Sequence, residues 1–264
     1  MKAILRSLVL VVACLVAVEG LLQAEDFCVF NKVYVGKEIN ESTTIFRSGR
    51  VYDLLADPGE ITIYDPPHSR FVVIDPQRKL KTEITTDQIE SFCQRIRSEV
   101  MTTQDPLSRF LATPEFSEVY DEGSGDLSLK NDWLVYEAKT APPKFDTMAK
   151  QYGQYLTWQT KLNTVLRPGA LLPYARVKLN DALLQRGRMP VEVQATRYMP
   201  GAVRKSFTLR SEHRVQPVVL ASDLARLDDA NRYLATFAVV PMLEYQRRGP
   251  GTETKTPAST QAAK

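Results

Sequence analysis

Histidine and cysteine are scarce in this 264-residue chain, with two of the first and three of the second. Neither histidine has a second His or Cys at ligand spacing, so no ordinary zinc site can be assembled from sequence neighbours. His68 lies in a Pro-Pro-His-Ser turn and His213 between Glu212 and Arg214, surroundings that suit solvated side chains. There is no C-x-x-C redox pair, G-x-G-x-x-G fingerprint, P-loop or G-x-S-x-G elbow. A surplus of one charge is also lacking. The formal net charge of +3, from 34 basic and 31 acidic residues, argues against a dedicated nucleic-acid binder, which needs a strongly basic face. The dense cysteine framework of small extracellular domains is missing, which favours a periplasm over an animal extracellular space. No internal repeat is visible, and no cofactor is called for.

The first two dozen residues stand apart. Lys2 and Arg6 precede an apolar run over 8–18, which ends in Leu22-Gln-Ala24 ahead of Glu25 and Asp26. This order is that of the n-region, h-region and small-residue cleavage site of a secretory signal peptide. Glu19, Gly20 and Gln23 interrupt the run, and a comfortable membrane span needs about 20 apolar residues. Cleavage after Ala24 is therefore expected, with cleavage after Gly20 or retention as an N-terminal anchor as alternatives. The expected organisation is a signal peptide over 1–24, a single domain over 25–248 and a disordered tail over 249–264, which holds no large apolar side chain. The protein is then exported, to the periplasm or cell envelope. The 44% hydrophobic content suits one sizeable globular core.

From residue 27 to about 85 the chain reads as a β-meander. Apolar and β-branched runs over 27–35, 43–46, 51–55, 61–64, 71–74 and 80–84 are separated by turn signals, among them Ser48-Gly49, Asp57-Pro-Gly59 and Asp65-Pro-Pro-His68. Thr85 and Gln88 fit a capping box ahead of an amphipathic helix to about Met101, and Asp105-Pro106 starts another. A strand pair is expected over 127–129 and 132–139, and helices over 145–166 and 173–186, the second closed by Gly187. Strands follow over 191–195 and within 203–215. A last helix capped by Ser222 turns Leu224, Leu227, Leu234 and Phe237 inward and stops near Pro241. Strands interleaved with helices favour one α+β domain, built on a long antiparallel sheet with one wet face and helices over the other.

Smaller features have ordinary readings. Asp121 to Asp126 lacks the ligand order of a calcium loop and reads as a Gly/Ser turn. Asn40-Glu-Ser42 is a glycosylation sequon with meaning only in a eukaryotic secretory pathway. Arg204, Lys205, Arg210 and Arg214 make a modest basic patch or a solvated strand face. Cys28 and Cys93 survive cleavage. Export would permit a disulfide between them, but Cys93 falls on the stripe Ile89, Phe92, Ile96, Val100, so a buried free thiol is an equal reading.

Three stretches, Gly49-Arg-Val-Tyr52, Pro58-Gly-Glu-Ile-Thr-Ile-Tyr64 and Phe71-Val-Val-Ile-Asp75, resemble the successive short strands of the bacterial lipoprotein-localisation carriers and their receptor. Met189-Pro-Val-Glu-Val-Gln-Ala195 and Ser206-Phe-Thr-Leu209 are similar to later strands of that family. Together they cover under a third of the chain. The insert at about 145–187 is large for a simple carrier, and a helix and tail stand where the carriers end in strands.

The resemblance implies an unclosed antiparallel half-barrel with helices over its concave face, sheltering acyl chains without metal or general base. Its inward positions would be Tyr52, Leu54, Ile61, Ile63, Phe71 and Val73, with Trp133 and Val135 opposite. Equally, these side chains could form a dry core. Three functions follow: a non-enzymatic binder of a lipid, lipoprotein or other apolar ligand; an envelope structural or interaction module with a filled core; and a hydrolase using His68 or His213 with scattered carboxylates. The partner is accordingly an apolar ligand or an envelope protein, with no nucleic acid and with peripheral membrane contact allowed.

Overall fold

The six runs at the start of the domain fold as β1 (Phe27–Val35), β2 (Glu38–Arg47), β3 (Arg50–Leu55), β4 (Ile61–Asp65), β5 (Arg70–Asp75) and β6 (Leu80–Thr85). The structure, a computed structural model, describes residues 25–56, 59–167, 169–199 and 206–247. The expected signal peptide and tail, Asp57 and Pro58 of one turn, and Arg204 and Lys205 of the basic patch lie outside the described residues. Ser48 and Gly49 both take positive φ (50° and 75°), the two-residue turn that matches strand twist, and so fix Arg47 opposite Arg50.

The capping box forms as expected. Thr85 Oγ1 accepts from the Gln88 amide at 3.2 Å, and Gln88 returns the bond at 2.9 Å, opening α1 (Thr86–Met101). Asp105 caps α2 (Pro106–Ala112). Next come β7 (Ser117–Tyr120), β8 (Leu127–Lys130), β9 (Leu134–Ala141), α3 (Met148–Leu166), α4 (Tyr174–Gln185), β10 (Met189–Tyr198) and β11 (Ser206–Gln216). The chain ends in α5 (Ala221–Thr236), β12 (Ala238–Val239) and α6 (Met242–Gln246). Asp223 rather than Ser222 closes the start of α5, accepting from the Leu220 amide at 3.2 Å. Strands β7 and β12 are too short to leave a periodic signal. Residues 121–126 form the expected turn, with Asp121 Oδ1 accepting from the Gly123 and Ser124 amides.

All twelve strands join one unclosed sheet in the order β12-β6-β5-β4-β3-β2-β1-β11-β10-β9-β8-β7. Every pair is antiparallel except β12 with β6, a short parallel strand that covers the β6 edge. The fold is α+β, as expected. One part of that expectation needs correction: both faces carry helices. The first face, holding Phe27, Val29, Phe46, Val51, Tyr64, Phe71 and Val73, packs against α1 and α3. Further along, Leu127, Leu129, Leu134, Tyr136, Ala138 and Val193 pack against α2 and α4. The second face of β1–β5 buries Cys28, Ile45, Tyr52, Leu54, Ile61, Ile63, Val72 and Ile74 beneath Leu227 and Ala230 of α5. The reason lies in β4 and β5, whose continuous apolar runs leave no polar side to face water. Beyond the reach of α5 the second face is wet, carrying pairs such as Lys139–Glu192 and Arg210–Glu212 over β9–β11 and Lys32–Glu41 on β1 and β2.

After α5 the chain rounds the β6 edge and returns to the first face. Tyr245 joins that core and donates to Glu60 at 3.1 Å, while Gln246 donates to the Val165 carbonyl at the end of α3 at 2.8 Å.

Candidate functional site

The residues expected to line a common cavity do not share a wall. Tyr52, Leu54, Ile61 and Ile63 come together on the second face, all buried under α5 in a filled core, and the Tyr52 hydroxyl donates to Asn231 at 3.2 Å. Phe71 and Val73 are buried on the first face. Trp133 precedes β9 and is half-buried, as is Val135, whose parity places it on the wet second face opposite its neighbours Leu134 and Tyr136. Parity explains the error: Ile61 pairs with Ile74, so its companions on β5 are Val72 and Ile74, not Phe71 and Val73. Cys28 and Cys93 are free and buried in cores on opposite faces, so no disulfide joins them.

A different site emerges on the first face. Four neighbouring strands change from apolar to polar at the same level. In β1 the inward series is Phe27, Val29, Asn31; in β2, Phe46, Thr44, Ser42; in β3, Val51, Asp53; in β11, Val215, His213, Ser211. The register places Asn31 beside His213 and Ser42, and Thr44 beside Asp53. Asn31 Nδ2 donates to Thr44 Oγ1 at 2.9 Å, and the Thr44 hydroxyl donates to Asp53 Oδ1 at 2.8 Å. From α3 the Tyr152 hydroxyl reaches Asn31 Oδ1 at 2.9 Å and His213 Nδ1 at 2.8 Å, and Ser211 Oγ lies 2.9 Å from His213 Nε2.

His213 is thus buried, 7% exposed, which corrects its reading as a surface histidine. Burial, helped by the Arg176 charge, pushes its pKa down to about 3, so the ring is neutral at neutral pH. Asn31 Oδ1 can only accept and lies 3.0 Å from Nδ1, so the ring proton belongs on Nδ1 and Nε2 is left to accept from Ser211. His68 is exposed as expected and lies 2.9 Å from Asp65.

Above this layer the helices bring polar groups without partners. Tyr152 and Tyr155 of α3 are fully buried, and Phe46 meets both rings edge-on. Burial pushes the Asp53 carboxyl up against the pull of the Thr44 and Ser42 hydroxyls and of Tyr155, which lies near it outside hydrogen-bond geometry. On α4, Arg176 donates from Nε to Asn180 Oδ1 at 3.0 Å. Desolvation lowers the Arg176 pKa, and among the described residues no carboxylate forms a salt bridge with it. Asn180 Nδ2, Gln159 Oε1 and Thr82 Oγ1 are buried with no hydrogen-bond partner. Arg176 and Asp53 are half-buried by surface, and desolvation is the leading cause of the shift of each.

Two openings lie elsewhere on the described surface, neither of them lined by Arg176, Asn180 or Asp53. A cleft of about 280 Å³ lies between the Ser48-Gly49 turn and the start of α3, floored by Phe46, Val51 and Tyr64 and rimmed by Arg47, Arg50 and Lys150. That is just under the usual size of a ligand pocket. A depression of about 440 Å³ on the second face is lined by Asp126, Glu137, Lys139 and Glu192. Its lysine is already paired with Glu192 at 3.0 Å, and its other charged side chains, Asp121, Asp126 and Glu137, are all carboxylates, so the first-face cleft is the better candidate for an apolar ligand.

The Ser211–His213–Asn31 series mimics a nucleophile, base and orienting group. Ser211 sits mid-strand, however, laddered to Val33 on one side and Val193 on the other. Its backbone amide is then committed to the sheet and cannot serve as an oxyanion donor. Among the described residues no helix is long and apolar enough to cross a membrane, and no cluster of three His, Cys, Asp or Glu side chains could hold a metal ion. Sequence reasoning missed the polar layer, although its signal was present in the strands: polar residues at the same parity as the core. No family model matches this chain, and no curated protein matches it either.

Proposed function

We propose that this protein is a non-catalytic binder that holds a lipid, an acyl chain or another amphiphile between the first face of the sheet and helices α3 and α4. The unsatisfied interior carries this reading. Buried polar groups in finished cores are hydrogen-bonded almost without exception. Here, among the described residues, Asn180 Nδ2 has no partner and the Arg176 guanidinium beside it has no counter-charge. A ligand with a polar end would supply what they lack, whereas an interaction module with a filled core gives no reason for them.

Apolar surface for the rest of the ligand is close by. Phe46, Val51 and Tyr64 floor the cleft, and at the opposite end of the face Val33, Val35 and Leu209 are only half-buried. Each methylene removed from water contributes about 0.8 kcal/mol. In this reading the sheet acts as a half-barrel with α3 and α4 over its concave side, in keeping with the resemblance to lipoprotein carriers. Export to the periplasm or envelope rests on the sequence of residues 1–24.

Native mass spectrometry of the protein, purified gently from a membrane-bearing host, tests the proposal. An added mass matching a fatty acid, phospholipid or lipopeptide is the expected result. A clean apo mass with no uptake of added lipid would sink it and leave protein–protein interaction as the better reading.

A further inference from the structure

Resting on that reading, we infer that the ligand carries an anionic group, a carboxylate or a phosphate, received by Arg176 and Asn180. The two residues stand one turn apart on α4, and the bond from Arg176 Nε to Asn180 Oδ1 settles the amide's orientation. The reversed amide would bring two donors face to face. Nδ2 is therefore the unpartnered group: a donor on a side chain only 2% exposed, with no acceptor. The terminal nitrogens of Arg176 make no hydrogen bond or salt bridge among the described residues.

The groups that sense the Arg176 charge are Tyr136 of β9, Tyr152 of α3 and His213 of β11, none of them anionic at neutral pH. Tyr136 is buried, and its hydroxyl makes no hydrogen bond among the described residues. This side of α4 thus offers a planar cation and an amide N–H, with the Tyr136 phenol sensing the same charge and no charged acceptor paired with them among the described residues. A guanidinium fork matches the paired oxygens of a carboxylate or phosphate. Asn180 Nδ2 is buried without an acceptor, and the half-buried Arg176 guanidinium beside it has no carboxylate partner among the described residues, so the set lacks an acceptor that an anionic ligand would supply.

Calorimetric titration of the full, delipidated protein with dodecanoate, dodecyl phosphate and dodecanol provides the test. The wild type should prefer one or both acids over the alcohol by about tenfold or more, the loss expected when a charged hydrogen bond is removed. Arg176→Gln should abolish that preference, the affinities for both acids falling to about that for dodecanol. Asn180→Asp, which sets a carboxylate against the guanidinium, should do the same and serves if the first variant does not fold. Which acid is preferred names the head group.

Equal affinity for acid and alcohol, or a preference that survives in both variants, overturns the anion receptor and leaves the binding reading intact. If no chain binds but inorganic phosphate alone stabilises the wild type and not Arg176→Gln, the receptor stands and the acyl-ligand reading falls. No response to any probe overturns both.

Discussion

His213 Nδ1 sits 3.0 Å from Asn31 Oδ1, across a directly paired position of β1 and β11. The contact holds a neutral imidazole inside the protein, with Ser211, Tyr152 and the Arg176 charge as its other neighbours. A histidine held neutral by the fold makes stability depend on pH.

Burial lowers the folded pKa of His213 from 6.5 to about 3. Between those values the unfolded chain binds a proton that the folded protein refuses, so stability is full above 6.5 and falls as the pH drops towards 3. Going from about pH 7 to pH 5, this group alone removes roughly 2 kcal/mol. Asp53 acts with the opposite sign: its raised pKa lets the folded state take up a proton first, adding stability as the pH falls through its folded value. In His213→Gln the acid loss should flatten. Urea midpoints at both pH values check this, and unchanged steepness in the variant would show that His213 is not the group involved.

The two cysteines should behave as deeply protected thiols. Burial is the main cause that raises Cys28 to about 12 and Cys93 to about 11, and the Asp223 carboxylate 3.8 Å from Cys28 Sγ adds to the first. A thiol that is not ionised is a poor nucleophile. Both should resist iodoacetamide in the native protein and react in guanidinium, and dithiothreitol should leave the melting temperature unchanged. A fall in melting temperature on reduction would restore the disulfide that the sequence left open.

The docking of α5 on the second face predicts a clean separation of stability from binding. Ile63 and Leu227 meet there in a filled core, 1% and 4% exposed. Either one replaced by alanine should cost about 2–5 kcal/mol, since the removed side chain leaves a cavity that the neighbours only partly close. Ligand uptake below the melting transition should be unaffected, because the site lies across the sheet. Loss of uptake in a folded Ile63→Ala variant, measured by titration, would move the site to the α5 side.

Much of the fold was legible in the residues. The Ser48-Gly49 turn, the Thr85–Gln88 box, Pro106 and Gly187 each mark a boundary by local chemistry alone, and all four are where local rules place them. What could not be read was which side of each strand met which helix. In β4 every residue from Ile61 to Asp65 is buried, so alternation gives no phase, and Ile61 was grouped with Phe71 across the sheet. His213 was legible in principle. Charged Glu212 and Arg214 suggested a solvated stretch, yet they point to the other face, and the inward series Val215, His213, Ser211 shares its parity with the core. The unpartnered Arg176 was not legible at all, because its isolation depends on the packing of α4 against strands far away in sequence.

That isolation sets stability against function at one position. Desolvation of the half-buried Arg176 cation is offset by no carboxylate among the described residues, and an apolar side chain of similar volume would not carry that cost. Arg176→Met removes that desolvation cost but leaves the buried Asn180 Oδ1 without its donor, a loss of about 1–3 kcal/mol. The two effects oppose each other, so the apo protein should unfold at close to the urea concentration of the wild type, while the added stability that dodecanoate gives the wild type should disappear. Ligand linkage makes the contrast sharp, since a ligand at a hundred times its Kd stabilises by about 2.7 kcal/mol. A variant less stable than wild type and still stabilised by dodecanoate would mean that Arg176 serves the packing of α4 and not the ligand.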